Sequence, residues 1–255
     1  MTQRIKFFAL IVLVGWLGLA FIPKKEQLTI FMAGDSTMAD KAVRAYPETG
    51  WGTRFRNFFD NTVAIVNKAQ NGRSTRTFMT DGLWQAITNN LKAGDYVLIQ
   101  FGHNDEVPTK KSYTTEAEFA KNLTMFIDET RAKHANPVLI TPVARRSFDG
   151  AGILTDTHAG YSEIVRQVAA KAKVPLIDLN RESMALLTKL GPDRSKYLFN
   201  HLQPNENPNY PDGKIDNTHF SELGARKMAE IVLADLRKLS PELESRVVKS
   251  NFDTK

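Results

Sequence analysis

The chain of 255 residues contains no cysteine. Thiol nucleophiles, disulfide bonds and thiolate zinc sites are therefore excluded, and no lipidated cysteine is available to anchor the chain. Internal repeats and low-complexity tracts are also absent from the sequence. These absences leave the cellular compartment open, because exported and cytosolic proteins alike can lack cysteine.

Clusters of basic residues are missing as well. The formal net charge is +6, but the sequence has no runs of Lys and Arg interleaved with aromatic side chains, which nucleic-acid-binding surfaces need. We therefore expect no nucleic-acid partner. The positive surplus is compatible with an ordinary soluble surface or with a polyanionic substrate.

The first 22 residues have the pattern of an export signal. Arg4 and Lys6 precede an uninterrupted apolar stretch over residues 7–22, the order found in secretory signal peptides. Gly18 and Ala20 provide a small-x-small pair for cleavage. At about 16 residues, the stretch is shorter than the roughly 20 of a comfortable membrane span. We predict a signal peptide or a retained N-terminal anchor, with a buried helix as the third interpretation; the first two make the working domain secreted or periplasmic.

The rest of the chain alternates short apolar runs with amphipathic segments. With 42% hydrophobic residues, it can bury one α/β core, and we expect a single domain over residues 27–240 and a C-terminal tail over residues 241–255. Apolar residues at helical spacing mark residues 119–127 and 225–239. This alternation predicts a parallel sheet with helices on both faces. The predicted strands are residues 28–33, 62–66, 96–101, 138–140 and 174–179.

A serine follows the first predicted strand, where Gly34 permits a sharp turn. Ser36 thus lies at the carboxyl end of a strand, the edge at which open α/β sheets bind ligands. A serine hydroxyl is a weak nucleophile that needs an imidazole base, itself oriented by a carboxylate. His219, with Asp216 three residues before it, supplies both groups. The sequence therefore predicts a catalytic triad of Ser36, His219 and Asp216.

Each polar motif has a simpler interpretation when it is taken alone. Asp35 or Ser36 is able to cap a helix, and the Asn-Gly pair at residues 71–72 is a turn signal. Residues 216–219 are able to cap the last helix. Residues 102–105, Gly-His-Asn-Asp, form a polar loop or a fragment of a metal site. Their occurrence together and their order along the chain favour a hydrolase. A metal is not expected because the sequence has no other clustered ligands, and a serine mechanism requires no cofactor.

These motifs resemble those of the SGNH (GDSL-type) hydrolases, and more narrowly those of the rhamnogalacturonan acetylesterase branch of the carbohydrate esterases. The resemblance covers nearly all of the chain after the leader. The first block reads Gly-Asp-Ser-Thr rather than Gly-Asp-Ser-Leu, a departure common in this branch. The matching blocks are Gly34-Asp35-Ser36, Asn71-Gly72-Arg73-Ser74, Gly102-His103-Asn104-Asp105 and Asp216 with His219, joined by Gly50-Trp51-Gly52 and residues 141–146.

The resemblance implies an α/β fold, a three-layer α/β/α sandwich with a central, mainly parallel five-stranded sheet of the flavodoxin-like SGNH hydrolase type. It also implies an oxyanion hole made by the backbone N–H groups of Ser36 and Gly72 and the side-chain amide of Asn104. Such donors stabilise the negative charge that develops during ester hydrolysis. Asn104 follows the predicted strand at residues 96–101, so it emerges at the same sheet edge as Ser36.

The implied substrate is acetylated pectic rhamnogalacturonan, a polyanion because it carries galacturonate carboxylates. Guanidinium groups bind carboxylates in bidentate fashion, and several arginines, Arg76 among them, lie near the matched blocks. The predicted substrate-binding residues are His103, Arg73, Arg145 and Arg146. The alternative is that these arginines are surface charges or form pairs within the protein. Trp51 is predicted to be a core anchor rather than a residue that stacks on a sugar.

Three other functions stay open at this point: an O-acetylesterase acting on xylan or another glycan, a lipid esterase or lysophospholipase, and a non-catalytic glycan-binding envelope protein. The Asn- and Pro-rich residues 200–213 predict a long loop before the acid–base pair, and its polarity argues against a lipid substrate. Residues 156–158, Asp-Thr-His, are predicted to be a helix cap or a polar patch facing the substrate. We expect a monomer whose partner is an acetylated polysaccharide or oligosaccharide, without membrane contact beyond an uncleaved anchor.

Overall fold

The computed structural model describes residues 26–249, so the predicted leader lies outside the described residues. The sheet strands are β1 (Leu28–Gly34), β2 (Val63–Asn67), β3 (Tyr96–Gln100), β4 (Asn136–Ile140) and β5 (Leu176–Ile177). They form a five-stranded sheet in the order β2-β1-β3-β4-β5, and each neighbouring pair is parallel. The predicted parallel sheet and three-layer sandwich are confirmed.

Helices follow or precede most of these strands. They are α1 (Trp51–Phe55), α2 (Thr75–Thr80), α3 (Leu83–Thr88), α4 (Glu116–Ala132), α5 (Ala159–Ala172), α6 (Leu179–Arg194), α7 (Glu222–Leu239) and α8 (Pro241–Glu244). Short 3₁₀ turns cover Val43–Ala45, Arg56–Phe58 and Ser195–Leu198. Gly191 interrupts α6 with a φ of 69°, a left-handed conformation that glycine adopts readily, and Pro192 follows it.

The two faces of the sheet bury separate hydrophobic clusters. Ile30 and Met32 of β1 pack with residues of α1, α6 and α7 on one face. Phe31 and Ala33 of the same strand pack with residues of α2, α3, α4 and α5 on the other. Because successive side chains of a strand point to opposite faces, a strand that is apolar throughout must be covered on both. This explains why the predicted strands are continuous apolar runs.

The loops that carry the predicted motifs meet at the carboxyl edge of the sheet. The register places Gly34 at the end of β1 beside Gln100 at the end of β3, and Gln100 beside Ile140 at the end of β4. The segment after β2 joins them, since the Gln70 N–H donates to the Gly34 carbonyl at 3.1 Å. Chain segments far apart in sequence are thus brought together at this edge, as expected for an open parallel sheet.

Side-chain caps fix where the helices begin. Ser74 caps α2 and Thr115 caps α4, and in each case a side chain three residues later, Thr77 or Glu118, bonds back to the backbone of the cap. Ser221 caps α7 by accepting the Gly224 N–H. The last long helix therefore begins after the Asp-His motif, and that motif does not serve as its cap.

The Asp-His motif lies in a hairpin outside the main sheet. Strand β6 (Phe199–Leu202) pairs antiparallel with β7 (Lys214–Phe220). The long loop predicted over residues 200–213 is thus partly a strand, and only its later part connects the two. That connection is docked, because Asn209 donates to the Tyr46 carbonyl at 2.9 Å and Tyr210 donates to the Ala45 carbonyl at 3.0 Å.

The folded part continues past residue 240, where a tail was expected. Leu243 of α8 is buried in the core, and Val247 forms a β-bridge with Phe59. Arg246 donates to the backbone carbonyl groups of Glu26 and Thr62 at 2.8 and 3.2 Å. The boundary predicted at 240 is therefore too early, because the following residues cover the amino end of β1. Within residues 26–249, no helix has the length and apolar character to cross a membrane.

Candidate active site

Three side chains predicted from sequence form a continuous hydrogen-bonded chain. The Ser36 hydroxyl oxygen lies 2.9 Å from Nε2 of His219, and Nδ1 of His219 lies 2.8 Å from Oδ2 of Asp216. Ser36 is supplied by the loop after β1, and the other two residues by β7. This is the arrangement in which an imidazole, oriented by a carboxylate, is able to take a proton from a serine.

Asp216 is held as a carboxylate by its surroundings. Burial by itself raises the pKa of Asp216. The hydrogen bond with the His219 ring and the bonds from the backbone N–H groups of His219 and Thr218 lower it by more, so the pKa of Asp216 lies below its usual range. Because a carboxylate is acceptor-only, the imidazole Nδ1 must carry the hydrogen of this bond. Nε2 of neutral His219 is then free to accept from the serine hydroxyl.

A buried polar network fixes the loop that carries the serine. Asp35 accepts the Thr37 backbone N–H at 2.9 Å and the Thr37 hydroxyl at 2.8 Å. Gln100 donates to the Thr37 hydroxyl at 2.7 Å, and its carbonyl oxygen accepts the indole N–H of Trp51 at 2.7 Å. Trp51 is fully buried, so its predicted role as a core anchor is confirmed. Burial raises the pKa of Asp35, opposed by the bonds from Thr37.

A lysine that the sequence did not single out joins two of the site's loops. The Lys41 ammonium donates to the Ser36 carbonyl at 2.6 Å and to the Asn71 side chain at 2.7 Å. It also pairs with Glu48 at 2.8 Å, and the two side chains are only 5% and 10% exposed. This one ammonium therefore ties the serine loop to the loop that contains Gly72.

The three groups predicted to form the oxyanion hole each keep a hydrogen-bond donor available in the described part of the chain. Among residues 26–249, the backbone N–H groups of Ser36 and Gly72 have no hydrogen-bond acceptor. Gly72 has a φ of +76°, and a Cβ built there would meet nothing within 4 Å, so no neighbouring atom crowds the position that a side chain would take. The Asn104 amide nitrogen donates to the Arg73 carbonyl at 3.0 Å, while its oxygen accepts from Lys110 at 3.3 Å. One amide hydrogen of Asn104 stays available, because the side chain has two.

Asp105, which follows the asparagine, supports the neighbouring loop. Its Oδ1 accepts the Thr75 backbone N–H at 2.9 Å and the Thr75 hydroxyl at 2.7 Å, while its buried Oδ2 has no partner in residues 26–249. Burial raises the pKa of Asp105 to about 7, against the opposing effect of the Thr75 bonds. Asp105 thus anchors the start of α2 beside the Gly72 turn.

Two buried histidines lie beneath the site. The rings of His103 and His158 are in contact, with centroids 4.2 Å apart and planes tilted by 56°. Nε2 of His103 donates to the Val143 carbonyl at 3.0 Å, and burial lowers the pKa of His103 well below its usual range. Nδ1 of His158 lies 2.8 Å from Glu106. His158, the residue before α5, makes no side-chain cap bond, whereas Asp156 accepts the His158 backbone N–H at 2.9 Å. Of the motif at 156–158 only His158 is buried and Thr157 is exposed, so contact of this motif with the substrate stays a prediction.

The predicted substrate-binding arginines differ in how their charges are matched. Arg73 pairs with Asp81 at 2.7 Å, and Arg145 lies 3.4 Å from Glu106 and donates to the His103 carbonyl at 3.2 Å. These contacts favour pairing within the protein for Arg73, Arg145 and the buried His103, and their binding of substrate stays a prediction. Arg76 donates to backbone carbonyl groups of residues 111 and 113. Arg146 is different, because its acceptors are all neutral.

One group of side chains near the triad has donor atoms suited to a cation. Ligand atoms of Glu48, Asp216 and His219 lie within 4.8 Å of one another. Each of them already has a partner, since Glu48 binds the Lys41 ammonium and the other two bind each other. The geometry thus provides acid–base chemistry directly, and the absence of a metal requirement stays a prediction.

Comparisons with known proteins agree with this architecture. The model of the GDSL-like Lipase/Acylhydrolase family matches residues 32–227. The chain is 43% identical over 225 residues to rhamnogalacturonan acetylesterase RhgT of Bacillus subtilis, covering 88% of this chain and 96% of RhgT. It is 32% identical to the probable rhamnogalacturonan acetylesterase YesY of the same species, with 86% and 97% of the two chains covered.

A solved structure shows the same fold. Protein YxiM of Bacillus subtilis superimposes with a TM-score of 0.73 at 30% sequence identity, over 85% of this chain and 58% of the YxiM chain. The family match spans the serine loop, both intermediate motifs and the Asp-His hairpin. The chain therefore belongs to the GDSL-like lipase/acylhydrolase (SGNH) family and is a carboxylic ester hydrolase.

Proposed function

We propose that the protein is an exported serine esterase that removes O-acetyl groups from a plant cell-wall polysaccharide, pectic rhamnogalacturonan in particular. The observation that carries this proposal is the hydrogen-bonded chain from Ser36 through His219 to Asp216, in a protein 43% identical to a rhamnogalacturonan acetylesterase. The export part rests on the apolar stretch at residues 7–22.

In the first half of the reaction, Ser36 Oγ attacks the acetyl carbonyl carbon while its proton passes to Nε2 of His219. Asp216 stabilises the imidazolium that forms. The N–H groups of Ser36 and Gly72 and the amide of Asn104 stabilise the oxyanion. When the tetrahedral intermediate collapses, the C–O bond to the sugar breaks, and His219 returns its proton to the departing sugar hydroxyl. The enzyme is left as an acetyl-serine.

The second half releases acetate by the same groups. Water attacks the acetyl-serine carbonyl and gives a proton to His219, and the oxyanion forms again at the same donors. Collapse breaks the bond to Ser36 Oγ, which regains its proton from His219, and acetic acid leaves. Every proton transfer uses one imidazole nitrogen, so the scheme needs no cofactor.

The surroundings of the triad favour a glycan over a lipid. The side chains that contact or adjoin Ser36 and His219 include Lys41, Glu48 and Asn71, all of which are polar or charged. A long acyl chain would need an apolar groove in their place. A sugar offers hydroxyl groups that polar side chains recognise, and an acetyl group needs little apolar room.

The direct experiment measures acetate release from acetylated rhamnogalacturonan, acetylated xylan and p-nitrophenyl esters of increasing acyl length, using protein without residues 1–22. We expect acetyl esters to be cleaved, the pectic polymer fastest, and Ser36→Ala to abolish release from all of them. Preference for acetylated xylan would redirect the substrate assignment, and preference for long acyl esters would indicate a lipid esterase. Release that survives in Ser36→Ala would contradict the triad.

The pH dependence tests the base separately. His219 must be neutral to accept the serine proton, so kcat/KM on an acetyl ester should fall on the acid side. A profile that stays flat between about pH 5 and 8 would contradict this assignment. Export is tested by expressing the full chain in a bacterial host and sequencing the N-terminus of the protein outside the cytoplasm. A protein found only in the cytoplasm would refute export.

A further inference from the structure

A basic cavity of about 720 Å³ lies beside the hairpin that carries the acid–base pair. It is bounded by β6, β7 and the segment around the 3₁₀ turn at Ser195–Leu198. Its charged and titratable lining residues are Arg146, Lys196, His201, Lys214 and Asp212. Lys196 is paired with Asp193 at 3.1 Å and Lys214 lies 3.7 Å from Asp216, so Arg146 is the lining cation without a carboxylate contact in the described residues. Its charge makes the cavity suitable for an anion.

Arg146 provides a fixed positive charge in this cavity. Its guanidinium donates to the Ser195 hydroxyl at 3.1 Å, to Asn217 Oδ1 at 2.9 Å and to the Pro192 carbonyl. Within residues 26–249, no carboxylate oxygen lies within 4.0 Å of it. Of the five guanidinium hydrogens, three are used on neutral acceptors, so two stay available to a ligand. The charge is thus oriented by the protein, and the nearby carboxylate of Asp193 acts on it electrostatically without a direct contact.

The cavity and the triad share strand β7. Lys214 lines the cavity, and its ammonium lies 3.7 Å from Oδ2 of Asp216. Asn217, the residue after Asp216, accepts from Arg146 and from Nε2 of His201 at 2.8 Å. If a polymer lies across the triad and extends along β7 toward Lys214, a sugar close to the one being deacetylated will lie at the cavity.

We propose that this cavity is a subsite for the carboxylate of a uronate unit that neighbours the acetylated sugar. The proposal rests on the proposed function and adds the place where the polymer's charge is bound. Arg146 supplies charge-assisted hydrogen bonds to the carboxylate. Lys196 and Lys214, each within 4 Å of an aspartate, line the same cavity as further hydrogen-bond donors. Ile215, 84% exposed on the same wall, offers an apolar surface to the sugar ring.

The test is designed around Ile215, because its exposed side chain can change without disturbing the core. Ile215→Glu, Ile215→Lys and Ile215→Gln are made in a Ser36→Ala background, so that binding is measured without turnover. Titration calorimetry at low salt then gives Kd for an unacetylated rhamnogalacturonan oligosaccharide and for a neutral xylo-oligosaccharide. A unit charge about 6 Å from the carboxylate should separate the Glu and Lys variants by roughly tenfold in Kd, with Gln between them. The neutral ligand should bind all three alike.

Arg146→Gln provides a second measurement, with Lys171→Gln as its control. We expect Arg146→Gln to weaken binding of the charged oligosaccharide by roughly tenfold or more, since hydrogen bonds to charged groups are the stronger kind. Lys171 is exposed in the last turn of α5, so it lies at the opposite edge of the sheet, and its loss should not matter. Circular dichroism of each variant checks that it is folded.

Equal Kd values for the three Ile215 variants would overturn the proposal, as would equal shifts for the charged and neutral oligosaccharides. Failure of the proposed function is a separate result, because it shows as absent acetate release by the protein with Ser36 intact. A protein that deacetylates the pectic polymer but binds it independently of charge at residue 215 would retain its function and lack this subsite.

Discussion

The Lys41–Glu48 pair gives the sharpest prediction about how the site is held together. The ammonium lies 2.6 Å from the Ser36 carbonyl, 2.7 Å from Asn71 and 2.8 Å from Glu48. Lys41→Met keeps most of the aliphatic stem and removes these three contacts. It leaves a carboxylate that is only 10% exposed without its cation, and such an unpaired charge is more costly than the pair itself.

The expected loss follows from this burial. Removing one partner of a buried ion pair costs about 3–5 kcal/mol, and we place Lys41→Met near the lower end because Glu48 keeps some contact with solvent. A domain of this size loses roughly 2–4 °C in Tm for each kcal/mol. Lys41→Met should therefore unfold roughly 10 °C below the unchanged protein. Neutralising the acid as well removes the unpaired charge, so the double variant Lys41→Met, Glu48→Gln should recover most of the loss.

Thermal and urea unfolding measure both effects, with Lys238→Met as the control for losing a lysine ion pair at the surface. Lys238 pairs with Asp235 at 2.7 Å while its side chain is 73% exposed, so we expect no measurable change in Tm. The reasoning is refuted if Lys41→Met unfolds within about 2 °C of the unchanged protein. It is also refuted if the double variant is no more stable than Lys41→Met alone.

Three further predictions concern single groups. Asn104→Ala should lower kcat on an acetyl ester by about 10²–10³-fold with a small change in KM, as expected for loss of an oxyanion donor. A change in KM alone would contradict the assignment of Asn104 as an oxyanion donor. Trp51→Phe leaves the buried Gln100 carbonyl oxygen without its donor, so the free energy of unfolding should fall by about 1–3 kcal/mol in urea titrations, and an unchanged midpoint would contradict this. The pKa of Asp216 lies below its usual range, so its carboxylate contributes stability above about pH 4 that is lost as the pH falls. The difference in unfolding free energy between the unchanged protein and Asp216→Asn should therefore shrink steadily as the pH falls below about 4, and a constant difference would contradict the assignment.

The sheet was predictable because its strands are buried on both sides. Such strands are continuous apolar runs, and all five predicted runs differ from the observed strands by two residues or fewer at either end. The fifth, predicted over residues 174–179, is only Leu176–Ile177, because Asp178 caps the helix that begins at Leu179. A side-chain cap thus ends the strand within an apolar run.

The triad could be predicted because a serine, a histidine and an aspartate in these motifs are diagnostic in combination. The residues that support the triad could not be predicted in this way. Lys41 sits in a polar stretch like many surface lysines, and its partner Asn71 is 30 residues away. His158 contacts Glu106 across 52 residues. Contacts of this range exist only once the sheet has brought the loops together. The sequence also did not predict strand β6 of the hairpin, because the Asn- and Pro-rich residues around it are typical of a loop.

The two hydrogen bonds of the triad differ greatly in how far they reach along the chain. Asp216 and His219 are neighbours on one strand, and the carboxylate also binds the backbone between them, so this pair forms whenever that short segment takes its local shape. The bond from His219 to Ser36 spans 183 residues and exists only when hairpin and sheet are both in place. Ester hydrolysis therefore reports that both the sheet and the hairpin are folded. In a partly folded chain, His219 and Asp216 can form their hydrogen bond while Ser36 is still too far away to react.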